Sequence, residues 1–128
     1  MKILLDTCTF LWLAGGGRVL PPRVVELYRS AETEVFLSTA SAWEIAVKFA
    51  NGRLPLPARP DRFIPEERAE RGIQSLPFDE ESALHIIRLP RLHRDPFDRM
   101  LVSQAIVHGL TIVTPDPLIA QYPARTLW

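Results

Sequence analysis

Residues 1–7 read Met1-Lys2-Ile3-Leu4-Leu5-Asp6-Thr7, a short apolar run that stops at a carboxylate. Runs of the same kind occur at Val35–Leu37 and Leu110–Val113. In each, apolar residues largely follow one another instead of alternating with polar ones. Because parallel strands buried on both faces of a sheet have this pattern, the three runs predict a short parallel sheet.

The segments between these runs predict helices and loops, because hydroxyl residues, carboxylates and prolines mark their starts. The predicted helices are Thr7–Ala14, a segment opened by Pro21-Pro22, Ala40–Ala50, Asp61–Arg71, Asp79–Arg88 and Pro96–Gly109. A loop is predicted at Leu54–Pro60, a short strand or extended connector at Ile73–Phe78, and a last strand at Arg125–Leu127. This order predicts an α/β sandwich formed by a single domain over residues 1–128.

The composition is that of an ordinary globular domain of 128 residues, 47% apolar and 23% charged, which excludes disordered and fibrous classes. No segment approaches the roughly 18 apolar residues of a membrane span.

A lone cysteine, Cys8, cannot form an internal disulfide, so we expect a cytoplasmic protein. Cys8 itself is expected to be a small buried residue rather than a nucleophile. The formal net charge of zero argues against a strongly basic nucleic-acid binder unless the charges are segregated on the surface.

Two aspartates follow predicted strands directly or nearly so. Asp6 comes after the first strand, and Asp116 follows Leu110–Val113 by way of Thr114-Pro115. Open parallel sheets bind ligands outside the carboxyl ends of their strands, so both aspartates are candidates for a functional site. The alternative for each of them is helix capping.

Two further carboxylates occupy unusual positions on predicted helices. Glu44 interrupts an almost wholly apolar helix, where a charge is uncommon unless it is paired or coordinated, and its alternative role is an ion pair with Lys48. Asp98 shares a helix face with Leu101, which directs it toward the core side. Its alternative role is to complete a capping arrangement with Asp95.

Four carboxylates directed at one end of a sheet repel each other and need an opposite charge to remain ionised. A divalent cation is the simplest source of that charge. Mg²⁺ or Mn²⁺ suits oxygen ligands and fits a set of carboxylates that lacks a histidine or cysteine cluster. Such a site can activate water and hold a phosphodiester, so the residues indicate metal-assisted phosphodiester hydrolysis.

In order and spacing, four runs of this sequence resemble the PIN-domain toxins of bacterial toxin–antitoxin systems, the VapC type. The Trp43-Glu44 helix and the run His93-Arg94-Asp95-Pro96-Phe97-Asp98-Arg99 are specific, whereas the first run alone is weak. The resemblance covers essentially the whole chain. The four runs are Leu4–Thr7, Ser41–Lys48, His93–Ala105 and Leu110–Asp116.

The resemblance implies a PIN-like three-layer sandwich, with helices flanking a short central parallel sheet, and an endoribonuclease that depends on Mg²⁺ or Mn²⁺. It also implies an RNA substrate and neutralisation by a cognate VapB-type antitoxin. The acids that match the family's catalytic and metal-binding positions are Asp6, Glu44, Asp98 and Asp116. Thr7 and Thr114 match polar neighbours that orient carboxylates, and Asp95 either contacts metal or only caps a helix.

Two expectations about partners and one competing function accompany this resemblance. Lys48 and Arg94 are candidate RNA contacts, the latter together with His93, and a solvated loop is the alternative for that pair. A homodimer is expected if Trp12 and Leu13 lie on a surface helix near the glycines 15–17, and a core position for Trp12 is the alternative. The competing function is a catalytically silent PIN-like interaction module, which would have no reason to retain buried like charges.

Overall fold

A computed structural model describes residues 1–15, 17–92 and 94–128. Gly16 and His93 lie outside the described residues, and so does the expectation that His93 contacts RNA together with Arg94. Within the described residues, the strands are β1 (Lys2–Leu5), β2 (Glu34–Ser38), β3 (Ile73–Leu76), β4 (Thr111–Val113) and β5 (Thr126–Leu127). The α-helices are α1 (Thr7–Leu13), α2 (Pro22–Arg29), α3 (Thr39–Ala50), α4 (Pro60–Arg71), α5 (Glu80–His85) and α6 (Pro96–His108).

The five strands form one parallel sheet in the order β3-β2-β1-β4-β5. β1 is central, with Leu4 opposite Phe36 of β2 on one side and Ile112 of β4 on the other. The sheet therefore places the carboxyl ends of β1 and β4 side by side, and the residues that follow these two strands meet at one edge.

The two faces of the sheet carry separate cores because successive strand residues point to opposite faces. On one face, Ile3 and Leu5 pack with side chains from α1 to α4, including Phe10 and Phe63. On the other face, Leu4 packs against α6. The fold is thus the predicted three-layer α/β sandwich with a short parallel sheet between two layers of helices.

The predicted elements are present, with shifts of a residue or two at most of their ends. The largest difference concerns Asp79–Arg88, where the α-helix ends at His85 and a 3₁₀ turn covers Ile86–Arg88. Ile73–Phe78, left open between strand and connector, supplies the edge strand β3. Among the described helices, none has both the length and the apolar character needed to cross a bilayer.

Candidate functional site

Asp6 and Asp116 meet where β1 and β4 end, as the strand order requires. The hydroxyl of Thr114 donates to Asp6 Oδ2 at 2.5 Å and accepts the Asp116 backbone N–H at 3.1 Å. The Asp6 backbone N–H donates to the Val113 carbonyl at 3.3 Å, which fixes the two strand ends together. One threonine hydroxyl therefore bonds the Asp6 carboxylate and the Asp116 backbone. Asp116 Oδ1 accepts the Leu118 backbone N–H at 2.9 Å, so the capping role named as its alternative is present.

Asp6 is a buried carboxylate with a second, local role. Its Oδ1 accepts the Thr9 backbone N–H at 2.7 Å, so Asp6 also caps α1, as its alternative reading predicted. Burial raises the pKa of Asp6, and the charge of Asp116 adds to this, while hydrogen bonds from Thr114 and Thr9 act in the opposite direction. The protein by itself thus holds this carboxylate in a place that disfavours its negative charge.

Glu44 enters the same region from α3. Its Oε1 accepts a hydrogen bond of 2.7 Å from the Thr7 hydroxyl, and its Oε2 lies 2.5 Å from Lys48 Nζ. The Glu44 side chain is 7% exposed and that of Lys48 is 48% exposed. The Lys48 contact named as the alternative for Glu44 is present, but it does not account for the Thr7 hydrogen bond, which ties Glu44 to the helix that follows Asp6.

Asp95 and Asp98 lie at the start of α6. Asp95 Oδ1 accepts the backbone N–H groups of Phe97 at 2.9 Å and Asp98 at 3.4 Å, so Asp95 caps the helix. Asp98 is half-buried in the first turn. Both acids lie near the site: the charge of Asp98 raises the pKa of Cys8, and the charge of Asp95 raises the pKa of Lys48, the partner of Glu44.

Cys8 lies within the electrostatic influence of three of these acids. Burial raises the pKa of the Cys8 thiol, and the charges of Asp6, Glu44 and Asp98 each raise it further. The residue itself is exposed, so the expectation that Cys8 is a small buried residue was wrong. The reason is local: Thr7, Thr9 and Phe10 take the buried side of α1, which turns Cys8 outward, toward the carboxylates.

The candidate ligand atoms of Asp6, Glu44, Asp98 and Asp116 are carboxylate oxygens, which are the ligands that hard divalent cations prefer. Within residues 1–15, 17–92 and 94–128, no three acidic, histidine or cysteine side chains lie close enough together to form a ready ligand set. The carboxylates are held by protein donors instead: Asp6 by Thr114 and Thr9, and Glu44 by Thr7 and Lys48. The chemistry of the donors fits Mg²⁺ or Mn²⁺.

Arg94 precedes this acidic region and is exposed. It lines an open recess of about 760 Å³ together with Arg91, Leu92 and Arg99. Arg99 is occupied structurally, because its guanidinium donates to the Pro90 carbonyl at 2.8 Å and to the Tyr122 hydroxyl at 3.2 Å. The RNA contacts expected of Arg94 and Lys48 remain predictions.

Trp12 and Leu13 do not form a free apolar patch. Both are half-buried and pack against the core that contains Phe10. Trp12 also lies edge-on to Trp128, with ring centroids 5.8 Å apart. The surface argument for a homodimer therefore weakens, and the dimer remains a prediction.

The sequence pattern of a known family matches almost the full chain. The sequence model of the PIN domain family matches residues 3–124. The chain belongs to the PIN domain family. Over an alignment of 80 positions, this PIN domain is 31% identical to a protein named Ribonuclease VapC16 from Mycobacterium tuberculosis. The match covers 54% of this chain and 57% of that relative. The chain thus matches little more than half the length of that relative.

Solved structures share the PIN fold over nearly the full length of the chain. VapBC2 from Rickettsia felis, bound to a DNA fragment from its promoter, has a TM-score of 0.74 at 13% identity and covers 99% of this chain and 98% of its own. DNA-bound VapBC from Salmonella typhimurium has a TM-score of 0.68 at 18% identity, and the match covers 99% of this chain and 97% of that structure. FitAcB from Neisseria gonorrhoeae has a TM-score of 0.59 at 20% identity, and the match covers 100% of this chain and 97% of that structure. At these identities the likeness establishes the fold.

Proposed function

We propose that this PIN domain is a metal-dependent endoribonuclease that cleaves RNA phosphodiester bonds and serves as the toxin of a toxin–antitoxin pair. The observation that carries the proposal is the placement of Asp6, Asp116 and Glu44 at the carboxyl end of the central strands, where Thr114 bonds the first two and Thr7 bonds Glu44. A relative named as a ribonuclease and a structural neighbour that is a toxin–antitoxin complex support the same conclusion.

The residues proposed to hold Mg²⁺ or Mn²⁺ are Asp6, Glu44, Asp98 and Asp116. A bound ion of this kind lowers the pKa of water and neutralises charge on a phosphodiester. Asp6 is well suited to hold it, because its buried carboxylate gains most from a nearby positive charge. Asp116 lies beside Asp6 through their shared contact with Thr114.

Other side chains in the region position these acids. Thr114 holds Asp6, and Thr7 fixes one oxygen of Glu44 by a hydrogen bond. Such outer contacts orient ligands and tune their basicity. Lys48 offsets the charge of Glu44 and, together with Arg94, is proposed to contact RNA phosphates. Asp95 caps α6 and thereby orders the first turn that carries Asp98.

We propose a small VapB-type antitoxin as the partner, together with a homodimer of this chain. The support is that structural neighbours with this fold are VapBC or toxin–antitoxin complexes. The product of a small adjacent gene, added in equimolar amount, should suppress cleavage and bind with a defined stoichiometry. Cleavage that continues unchanged in a stable complex would contradict the antitoxin assignment. A monomer mass at micromolar concentration without antitoxin would contradict the homodimer.

The test of the nuclease is cleavage of defined single-stranded RNAs by the purified chain, with mapping of the ends produced. Asp98→Asn should lose cleavage by orders of magnitude. The matched control is Asp61→Asn on the exposed side of α4, 72% exposed and paired with Arg59, which should cleave like the parent. If the parent binds RNA or antitoxin but cleaves nothing in Mg²⁺ or Mn²⁺, the competing function, a silent interaction module, replaces this one.

A further inference from the structure

A recess of about 380 Å³ opens directly beside the candidate site. It shares Thr114 and Asp116 with the site, and its wall also contains Arg23 from α2 and Trp128 beyond β5. The volume is within the range of ligand pockets, about 300–1,000 Å³. A guanidinium and an indole therefore line the same space as one of the proposed catalytic acids.

The indole of Trp128 is held firmly in this wall. Its ring lies edge-on to Trp12, at a centroid distance of 5.8 Å and an angle of 61°. Arg18 packs over both indoles, with its guanidinium carbon 4.7 Å from the Trp12 ring centroid and 5.4 Å from that of Trp128. An aromatic ring that is already ordered loses less conformational freedom when a ligand stacks on it.

Arg23 supplies a positive charge that the acidic site needs if it is to admit a polyanion. The residue is exposed and forms no hydrogen bond or ion pair with any other described residue. Asp116 in the same recess would repel a phosphate, so an adjacent guanidinium offsets that repulsion where a chain of phosphates passes the acids. Arginine is also the side chain that best matches phosphate geometry.

We propose that this recess binds one unpaired nucleotide of the RNA strand adjacent to the cleaved bond, with Arg23 on its phosphate and Trp128 stacked on its base. The inference rests on the proposed ribonuclease function and adds a subsite to it. An unpaired nucleotide is favoured over duplex RNA because a base inside a helix cannot expose its face to an indole. The recess thus selects single-stranded RNA at the acids.

Arg23 is tested by RNA binding without cleavage. The anisotropy of a fluorescent single-stranded oligoribonucleotide is measured in chelator as a function of KCl. Arg23→Gln should raise Kd about tenfold and reduce the slope of log Kd against log salt by about one. The matched control is Arg29→Gln, which removes an exposed arginine from the last turn of the same helix and should leave Kd and slope unchanged. Equal effects of the two substitutions, or no effect of Arg23→Gln, would overturn the proposal.

Trp128 is tested by a cycle that separates stacking from folding. Trp128→Leu should raise Kd about 5- to 100-fold, and Trp128→Tyr should restore most of the affinity. The loss in Trp128→Leu should vanish for one oligonucleotide of a series in which a single position is abasic, because the base that stacks on the indole is missing there. A loss that is the same for every abasic oligonucleotide would show that Trp128 acts only through the fold. Melting temperatures identify variants that fail to fold.

Cleavage by the same variants distinguishes this inference from the function on which it rests. If the parent cleaves RNA and both recess variants bind and cleave like the parent, the subsite is wrong and the nuclease stands. If the parent does not cleave at all, the proposed function fails first. Arg23→Gln should raise KM with little change in kcat, because Arg23 is proposed to bind and not to act on the reacting bond.

Discussion

Thr114 and Asp6 are 108 residues apart in the sequence and are joined by a hydrogen bond of 2.5 Å between the threonine hydroxyl and Asp6 Oδ2. The same hydroxyl accepts the backbone N–H of Asp116 at 3.1 Å. This contact connects the ends of the two neighbouring strands β1 and β4 through a single side chain. It therefore determines how Asp6 and Asp116 are placed relative to each other.

Thr114→Val should lower metal-dependent cleavage about 10- to 100-fold, in line with losses of orienting groups around metal ligands. The substitution keeps the shape of the side chain but removes the donor to Asp6, whose pKa this hydrogen bond lowers. Thr114→Ser retains the hydroxyl and should recover most of the rate. Rates are measured against Mg²⁺ concentration. Equal rates for the valine and serine variants would contradict a positioning role for the hydroxyl.

Asp6→Asn should hold or raise the melting temperature in chelator while it abolishes cleavage. Burial raises the pKa of Asp6 above its ordinary value of 3.8, so ionisation of Asp6 disfavours the folded state as the pH rises through that pKa. Asparagine removes the charge and still caps α1 through its carbonyl oxygen. Differential scanning calorimetry in chelator, beside cleavage in Mg²⁺, gives both values. A variant that cleaves at the parent's rate would reduce Asp6 to a helix cap.

Substitutions of Glu44 and of Lys48 should have different effects on kcat and KM, although the two residues form one ion pair. Glu44→Gln removes a proposed metal ligand and should lower kcat by orders of magnitude. Lys48→Gln should raise KM for RNA and lower the free energy of unfolding by about 1–3 kcal/mol, because it leaves the buried Glu44 carboxylate without its charged partner. Steady-state kinetics and urea unfolding test this. A Lys48→Gln variant with the same fall in kcat as Glu44→Gln would place the lysine in the reaction itself.

The contact between Asp79 and His108 should make stability depend on pH. A hydrogen bond from His108 at 2.7 Å, with a second contribution from Ser82, holds the pKa of Asp79 well below its ordinary value of 3.8. The stabilisation is therefore present above pH 4 and lost as the pH falls through the lowered pKa. Asp79→Asn should cost at most about 1 kcal/mol at pH 7, because the pair is about a third exposed and partly screened.

The check on this prediction is urea unfolding of the parent and Asp79→Asn across pH 3–7. The difference between them should shrink as the pH falls below about 4. Asp61→Asn, at a well-exposed pair with Arg59, serves as the control and should change stability by a few tenths of a kcal/mol at most. A difference for Asp79→Asn that is constant over the whole range would exclude a contribution from the charge.

The sequence was sufficient for most of the fold, because local signals and burial agree in this chain. β1, β2 and β4 are buried on both faces, so they consist largely of consecutive apolar residues. Ser38 and Asp95 cap α3 and α6 through their own side chains, which is why the predicted starts of these helices fall within a residue of the observed ones.

Features that depend on contacts between distant parts of the chain were not predictable. Cys8 was expected to be buried because small apolar residues usually are, but the turn of α1 directs it outward. Trp128 and Arg23 meet Asp116 in one recess only because β5 pairs with β4 and α2 packs nearby. The acids proposed for the site stand out in the sequence by their positions after strands and on helices, whereas their hydrogen-bond partners required the strand order.

The measurement that tests the central claim most directly is the rate of RNA cleavage by the parent chain after removal of metal and after its return. In excess chelator the rate should fall to background, and added Mg²⁺ or Mn²⁺ should restore it in the parent but not in Asp98→Asn. Full cleavage in excess chelator, or equal restoration in parent and variant, would contradict a metal-dependent site built from these acids.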